Sequence, residues 1–171
     1  MTEKKTLDKK KLTLGVLSVY ISFVFIQSLF FKYTGSAETQ HIFGTLDEWA
    51  AGFGFEGLFL APGIFNAYVI GTAELIASAL LLAGLFTSKK FLSPLGALLA
   101  LGIISGAIFF HLFTPLGIVV MDDGGTLFIM ACGVWISAAV ILFTQRTLIC
   151  PVTHFCKAKN KDAGNEEPAD A

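Results

Sequence analysis

One acidic side chain stands where acid is expensive. Glu74 is the only charge in the apolar run from Gly63 to Phe86. It falls about 11 residues from the start of that run, roughly 16 Å at the helical rise. A charge at such depth costs at least about 2.5–3.5 kcal/mol on insertion scales. Glu74 must therefore be neutral, paired or hydrated. Ionisable groups inside a membrane are candidates for ligand binding or proton exchange. The neighbouring Gly71, Ala77 and Ser78 are small, which favours a face packed against another helix. The plainer reading is a hydrogen-bonded Glu that fixes that packing.

Further polar residues lie toward the same side. Gln27 lies in the outer half of the first apolar run, and Lys32 ends it. From helix rise alone, Lys32 is separated vertically from Glu74 by on the order of 12–16 Å, so Gln27 is the easier partner. Lys32 also has an ordinary role as an interfacial snorkel. His111 falls in the last turn of the third run, where helix C-termini favour it as a cap and where a histidine could also exchange protons. Asp122 and Asp123 open the fourth run, as dipole partners and caps commonly do. A polar pocket in the outer half of a bundle is the simplest common explanation for these residues.

The elements that must carry them are membrane spans. The 171-residue chain is 54% apolar and only 15% charged, well below the quarter typical of soluble domains. About 20 apolar residues cross the hydrocarbon core, and four segments meet that need: 12–31, 63–86, 91–113 and 126–143. The expected fold is all-α, a polytopic four-helix transmembrane domain over 12–146. A basic tail precedes it at 1–11, and a tail over 147–171 follows it, polar and disordered toward its end. The N-terminal lysines before an apolar run are signal-like. That run is too long, however, and it ends in Phe30-Phe31-Lys32 instead of a small-residue cleavage site.

Basic residues set the orientation. Of the 12 Lys and Arg, only Lys32 falls on one side, together with Glu38, Asp47, Glu48, Glu56, Asp122 and Asp123. The positive-inside rule places both termini in the cytoplasm of a bacterial inner membrane and the 32–62 and 114–125 loops outside. The 41–60 stretch is aromatic, acidic and rich in glycine. It suits an interfacial amphipathic helix followed by a turn, with Trp49 at headgroup depth, resting on lipid or folding back as a lid.

Several chemistries lack a signature. There is no outward Cys-x-x-Cys, P-loop, HExxH or pair of histidines within spans. Cys150, His154 and Cys156 have a spacing too unusual for a metal site, so none is assigned. The near-neutral total charge gives no general attraction to nucleic acid.

The segments FVFIQSLFFKYTG at the end of the first span and GTAELIASALLLAGLFTSKK as the second, with a short fourth span, resemble the DoxX family of bacterial four-helix membrane proteins. The match covers roughly 12–146, with Glu74 before a Gly- and Leu-rich run and a basic turn, and Lys32 just before Gly35. The chain departs from the family in its closing tail, Gln145-Arg146-Thr147-Leu148. The resemblance implies kinship with proteins of quinone-linked redox and sulfur metabolism or of redox stress. On that basis the expected function is a membrane subunit of such a system. Gln27, Lys32, Glu74 and His111 would bind a quinone headgroup, or a small sulfur-containing or lipid molecule, with Glu74 exchanging protons. Asp122, Asp123 and Trp49 would be secondary. The bilayer is one partner, and a redox subunit or a second copy is another. The alternatives are a non-catalytic scaffold or maturation factor and, less favoured without an inverted repeat, a small transporter.

Overall fold

A computed structural model describes residues 2–87, 89 and 91–146. The tail from residue 147, including Cys150 to Cys156, lies outside the described residues. Five helices and no strands make up the described chain: α1 (Thr2–Thr34), α2 (Ala37–Ala51), α3 (Ala67–Phe86), α4 (Leu92–Phe113) and α5 (Thr126–Thr144). Four of them are long and apolar enough to cross a membrane, over Lys9–Thr34, Ala67–Phe86, Leu92–Phe113 and Thr126–Thr144. The chain is therefore an all-α helical membrane bundle. The segment read as an N-terminal tail continues α1, which is helical from Thr2.

The long helices form a ring in which α1 packs on α3, α3 on α4, α4 on α5 and α5 back on α1. Residue sizes are distributed as lipid requires. The interior is built on small residues, with Ala77, Ala97, Ala100, Ala131 and Ala138 buried around Ile21, Phe25, Leu81 and Ile141. Large apolar groups such as Phe23, Phe30, Leu98, Ile129, Ile136 and Phe143 point outward. Hydrophobic burial drives helix association weakly in lipid, so close backbone approach replaces it. Gly96 shows how tight that approach is: a Cβ there would sit 2.9 Å from Leu81 N and 3.0 Å from Ala77 O.

α2 does not span. Ser36 caps its start by accepting from Thr39 N. Its buried residues Thr39, Phe43, Leu46, Asp47 and Ala50 fall at one-face helical spacing. That face joins Phe59, Leu116 and Val120 in a second core, against Ala67, Ile70 and Phe110. The segment from α2 to residue 60 therefore folds back as a lid over one end of the ring, here called the capped end. The α3–α4 turn lies at the other end.

α3 begins at Ala67, later than the Gly63 start read from hydropathy. Asn66 is the reason: its side-chain oxygen accepts from Tyr68 N at 2.8 Å and Val69 N at 3.0 Å. Its amide donates to Gly63 O at 2.6 Å. Apolarity alone cannot separate a capped turn from the helix it starts.

Candidate functional site

The late start of α3 changes the depth of Glu74. Counted from Ala67, it is two turns into the helix, about 10 Å below the capped end. Lys32 is two residues from the end of α1. The remaining offset, on the order of 7 Å, is within reach of a lysine stem. Helical Cα–Cβ bonds lean toward the helix N-terminus. In these antiparallel helices Lys32 leans away from the capped end and Glu74 leans toward it, so the two side chains converge.

They meet as an ion pair. Lys32 Nζ donates to Glu74 Oε2 at 2.9 Å and to Oε1 at 3.0 Å. Ser28 Oγ donates to Oε2 at 3.1 Å, and Lys32 Nζ also donates to Ser28 Oγ. The side chains of Lys32 and Glu74 are 14% and 7% exposed. Gly71, one turn before Glu74, makes room for this. A Cβ there would lie 3.2 Å from Leu29 Cδ2 and Tyr33 Cε2, and 3.5 Å from Lys32 Cδ. Below the carboxylate, Ser78 Oγ donates to Glu74 O at 2.8 Å, and Ser22 Oγ donates to Ser78 O at 3.5 Å. The α1–α3 seam is thus polar for several turns.

Gln27, expected as the easier partner, lies on the exposed face of α1. Five residues from Lys32 place it about 140° around the helix, whereas Ser28, four residues away, is within about 40°. Ser28 and Lys32 hold the carboxylate instead. Ser28 was missed because a lone serine in an apolar run is unremarkable. The readable signal was the four-residue spacing of Ser28 and Lys32 opposite the Gly71–Glu74 pair.

His111 and the two aspartates form a separate station. His111 is buried at the end of α4, and its Nδ1 lies 2.6 Å from Gly117 O. A carbonyl only accepts, so Nδ1 carries the hydrogen. The ring stands edge-on to Phe128 with centroids 5.7 Å apart. Asp123 Oδ1 accepts from Val120 N at 2.8 Å and Gly125 N at 2.9 Å, and Oδ2 accepts from Leu127 N at 2.9 Å. Partial burial opposes ionisation of Asp123. The three backbone donors and the nearby His111 outweigh it and hold the carboxyl below its ordinary value. Asp122 is exposed, in a left-handed turn with φ 63°.

The lid has an acidic anchor of its own. Asp47 is buried, and its carboxylate accepts from Phe59 N at 2.9 Å and Gly57 N at 3.2 Å. This ties the irregular stretch after α2 back to the helix. Trp49 stacks edge-on with Phe53 at 5.2 Å and with Phe110 at 6.4 Å. Nothing in the run around Asp47 marks it as buried, since its spacing to residues 57 and 59 crosses a loop.

An apolar recess of about 480 Å³ lies between α3 and α4, lined by Leu80, Leu95, Leu98, Leu99, Gly102 and Ile103. It holds none of the polar candidates and is chemically suited to an acyl chain. Among the described residues no cluster of His, Cys, Asp and Glu is arranged to hold a metal ion. Comparison with known protein families, characterised proteins and solved structures gives no match.

Proposed function

We propose that this chain is a DoxX-like membrane subunit of a quinone-linked redox or sulfur-metabolism system, and that Lys32, Ser28 and Glu74 receive the ligand headgroup. The observation that supports this reading is the nearly closed triad of ammonium, hydroxyl and carboxylate inside a membrane span. A quinone carbonyl accepts hydrogen bonds, which Lys32 and Ser28 can donate. Reduction of a quinone by two electrons takes up two protons, and a membrane carboxylate is suited to pass protons to it. The two electrons must be supplied by a partner redox protein, the quinone being their acceptor and the quinol the product. Glu74 relays protons only after taking them up from water. The distribution of basic residues supports a bacterial inner-membrane location with both termini cytoplasmic, which turns the capped end and its triad outward.

A second reading, a scaffold that recruits a partner protein, is favoured by one feature. The lid shows Phe53, Phe55 and Ile64 to its surroundings, each more than 60% exposed.

Equilibrium binding of a quinone analogue to the purified full chain separates the two. Removing a charged hydrogen-bond partner typically costs about 1.5–3 kcal/mol. Glu74→Gln and Lys32→Met should therefore weaken binding by roughly ten- to a hundredfold, while the helical signal is retained. Unchanged binding in both folded variants rules the triad out, and the scaffold reading then stands.

A further inference from the structure

We propose that the ligand reaches the triad sideways from the bilayer, between α1 and α3, and that Tyr33 and Thr72 latch this entrance. This inference rests on the ligand-binding reading of Lys32 and Glu74 given above.

Two routes to the pair are conceivable, along the bundle axis from the capped end or laterally from lipid. The axial route is filled. Phe43, Leu46, Ala50, Phe59, Leu116 and Val120 form a buried core at that end, and Ala67 and Ile70 of α3 pack against it. Asp47 fastens the covering loop through two backbone donors. An axial ligand would have to unpack this core.

The lateral route is closed by far less. Tyr33 is 48% exposed and Tyr68 is 50% exposed, so both rings face the lipid side of the α1–α3 seam. Their centroids lie 5.7 Å apart, edge to face. One hydrogen bond joins the two helices here, between Tyr33 OH and Thr72 Oγ1 at 2.9 Å. Behind the Tyr33 ring is Gly71, whose missing side chain leaves a bare strip of backbone. The Tyr33 ring and the Lys32 stem both lie against that strip, at 3.2 Å and 3.5 Å from the position of a Cβ. Leu29 Cδ2 covers the other side of the same strip, also at 3.2 Å. Rotation of the exposed Tyr33 ring therefore opens a slot between Leu29 and Tyr68 that leads toward the lysine stem. The slot has apolar walls, a glycine floor and an ammonium–carboxylate pair at its inner end. Its complement is a flat, carbonyl-bearing headgroup on an apolar tail, delivered from the membrane and not from water. The tail stays in lipid, where nothing in the protein needs to hold it.

Photolabelling of the full chain in phosphatidylcholine–phosphatidylglycerol vesicles tests the route. One probe is an azido-quinone with a long isoprenoid tail, and the other is the same headgroup without the tail. Labelled peptides from α1 and α3 are mapped. Tyr33→Phe keeps the ring and removes only the latch hydroxyl, Thr72→Ala removes its partner, and Asp47→Ala loosens the lid. The expected result is initial labelling by the tailed probe about fivefold faster in the first two variants, as for a gated entry step. In Asp47→Ala the rate should stay within about twofold of the unaltered chain. The tailless probe, added from water, should label the same peptides more slowly than the tailed one. Faster labelling in Asp47→Ala with wild-type rates in the Tyr33 and Thr72 variants overturns the lateral route and indicates axial entry. Wild-type rates in all three variants overturn the latch. Absence of label from α1 and α3 in every variant overturns the ligand-binding reading itself, and the route with it.

Discussion

At the residue scale, the central feature is a charge pair whose worth lies in its completeness. A buried ion pair repays its desolvation poorly, but removal of one partner strands the other. Lys32→Met and Glu74→Leu alone should each lower stability by about 3–5 kcal/mol. The double variant should recover most of that loss, because it removes both charges. Thermal unfolding of the four proteins in detergent, read as a double-mutant cycle, checks this. Asp123 makes a different prediction. Its carboxyl is held below the ordinary value of 3.8, so its stabilising contribution is complete above that value and is lost as pH falls through the lower folded value. Unfolding temperature should drop below about pH 4 in the natural chain and drop less in Asp123→Asn. A scan of unfolding temperature against pH reads the difference. Glu74 was conspicuous in the sequence because it is the lone charge inside an apolar run, and the structure shows it paired with Lys32. That partner was not legible, since the choice between Gln27 and Lys32 turns on helix phase and the lean of Cβ bonds, and hydropathy carries neither.

At the scale of elements, hydropathy identified the spans well and their ends poorly. The third run was read as 91–113, and α4 covers Leu92–Phe113. The second run was extended by four residues because Gly63 to Asn66 are as acceptable to a hydropathy window as the helix that Asn66 caps. That small error inflated the apparent depth of Glu74 and made its pairing with Lys32 look remote. The 41–60 stretch was read as an amphipathic helix that rests on lipid or folds back as a lid, and the buried face of Thr39, Phe43, Leu46 and Ala50 selects the lid. The anchor of that lid was not legible, because Asp47 is satisfied by backbone groups at residues 57 and 59, across an irregular turn. Asp47→Ala strands two backbone donors at a cost of about 1.5–3 kcal/mol for a charge-assisted contact. Hydrogen exchange in residues 52–66 should accelerate by at least about tenfold, while the mid-span amides of α3 and α4 stay protected. Equal acceleration in α3 and α4 would mean that the lid and the bundle open as one unit.

At the scale of the molecule, the bundle has its small residues inside, its large apolar residues outside and a lid on one end. The triad sits beneath that lid at the α1–α3 seam, and the His111–Asp123 station holds the 114–125 loop to the ends of α4 and α5. A single polar pocket holding Gln27, Lys32, Glu74 and His111 together was the simplest expectation from sequence. Vertical position along the membrane normal can be counted from sequence, but azimuth around the ring cannot, and azimuth distributes these residues among different seams. The proposed function therefore turns on one seam and on the proton chemistry proposed for one carboxylate. Infrared difference spectroscopy of the full chain with a bound quinone analogue, before and after its chemical reduction, tests that claim most directly. The account predicts a change in the carboxylic-acid C=O stretching region that disappears in Glu74→Gln. No such change, or one that survives intact in Glu74→Gln, would contradict it.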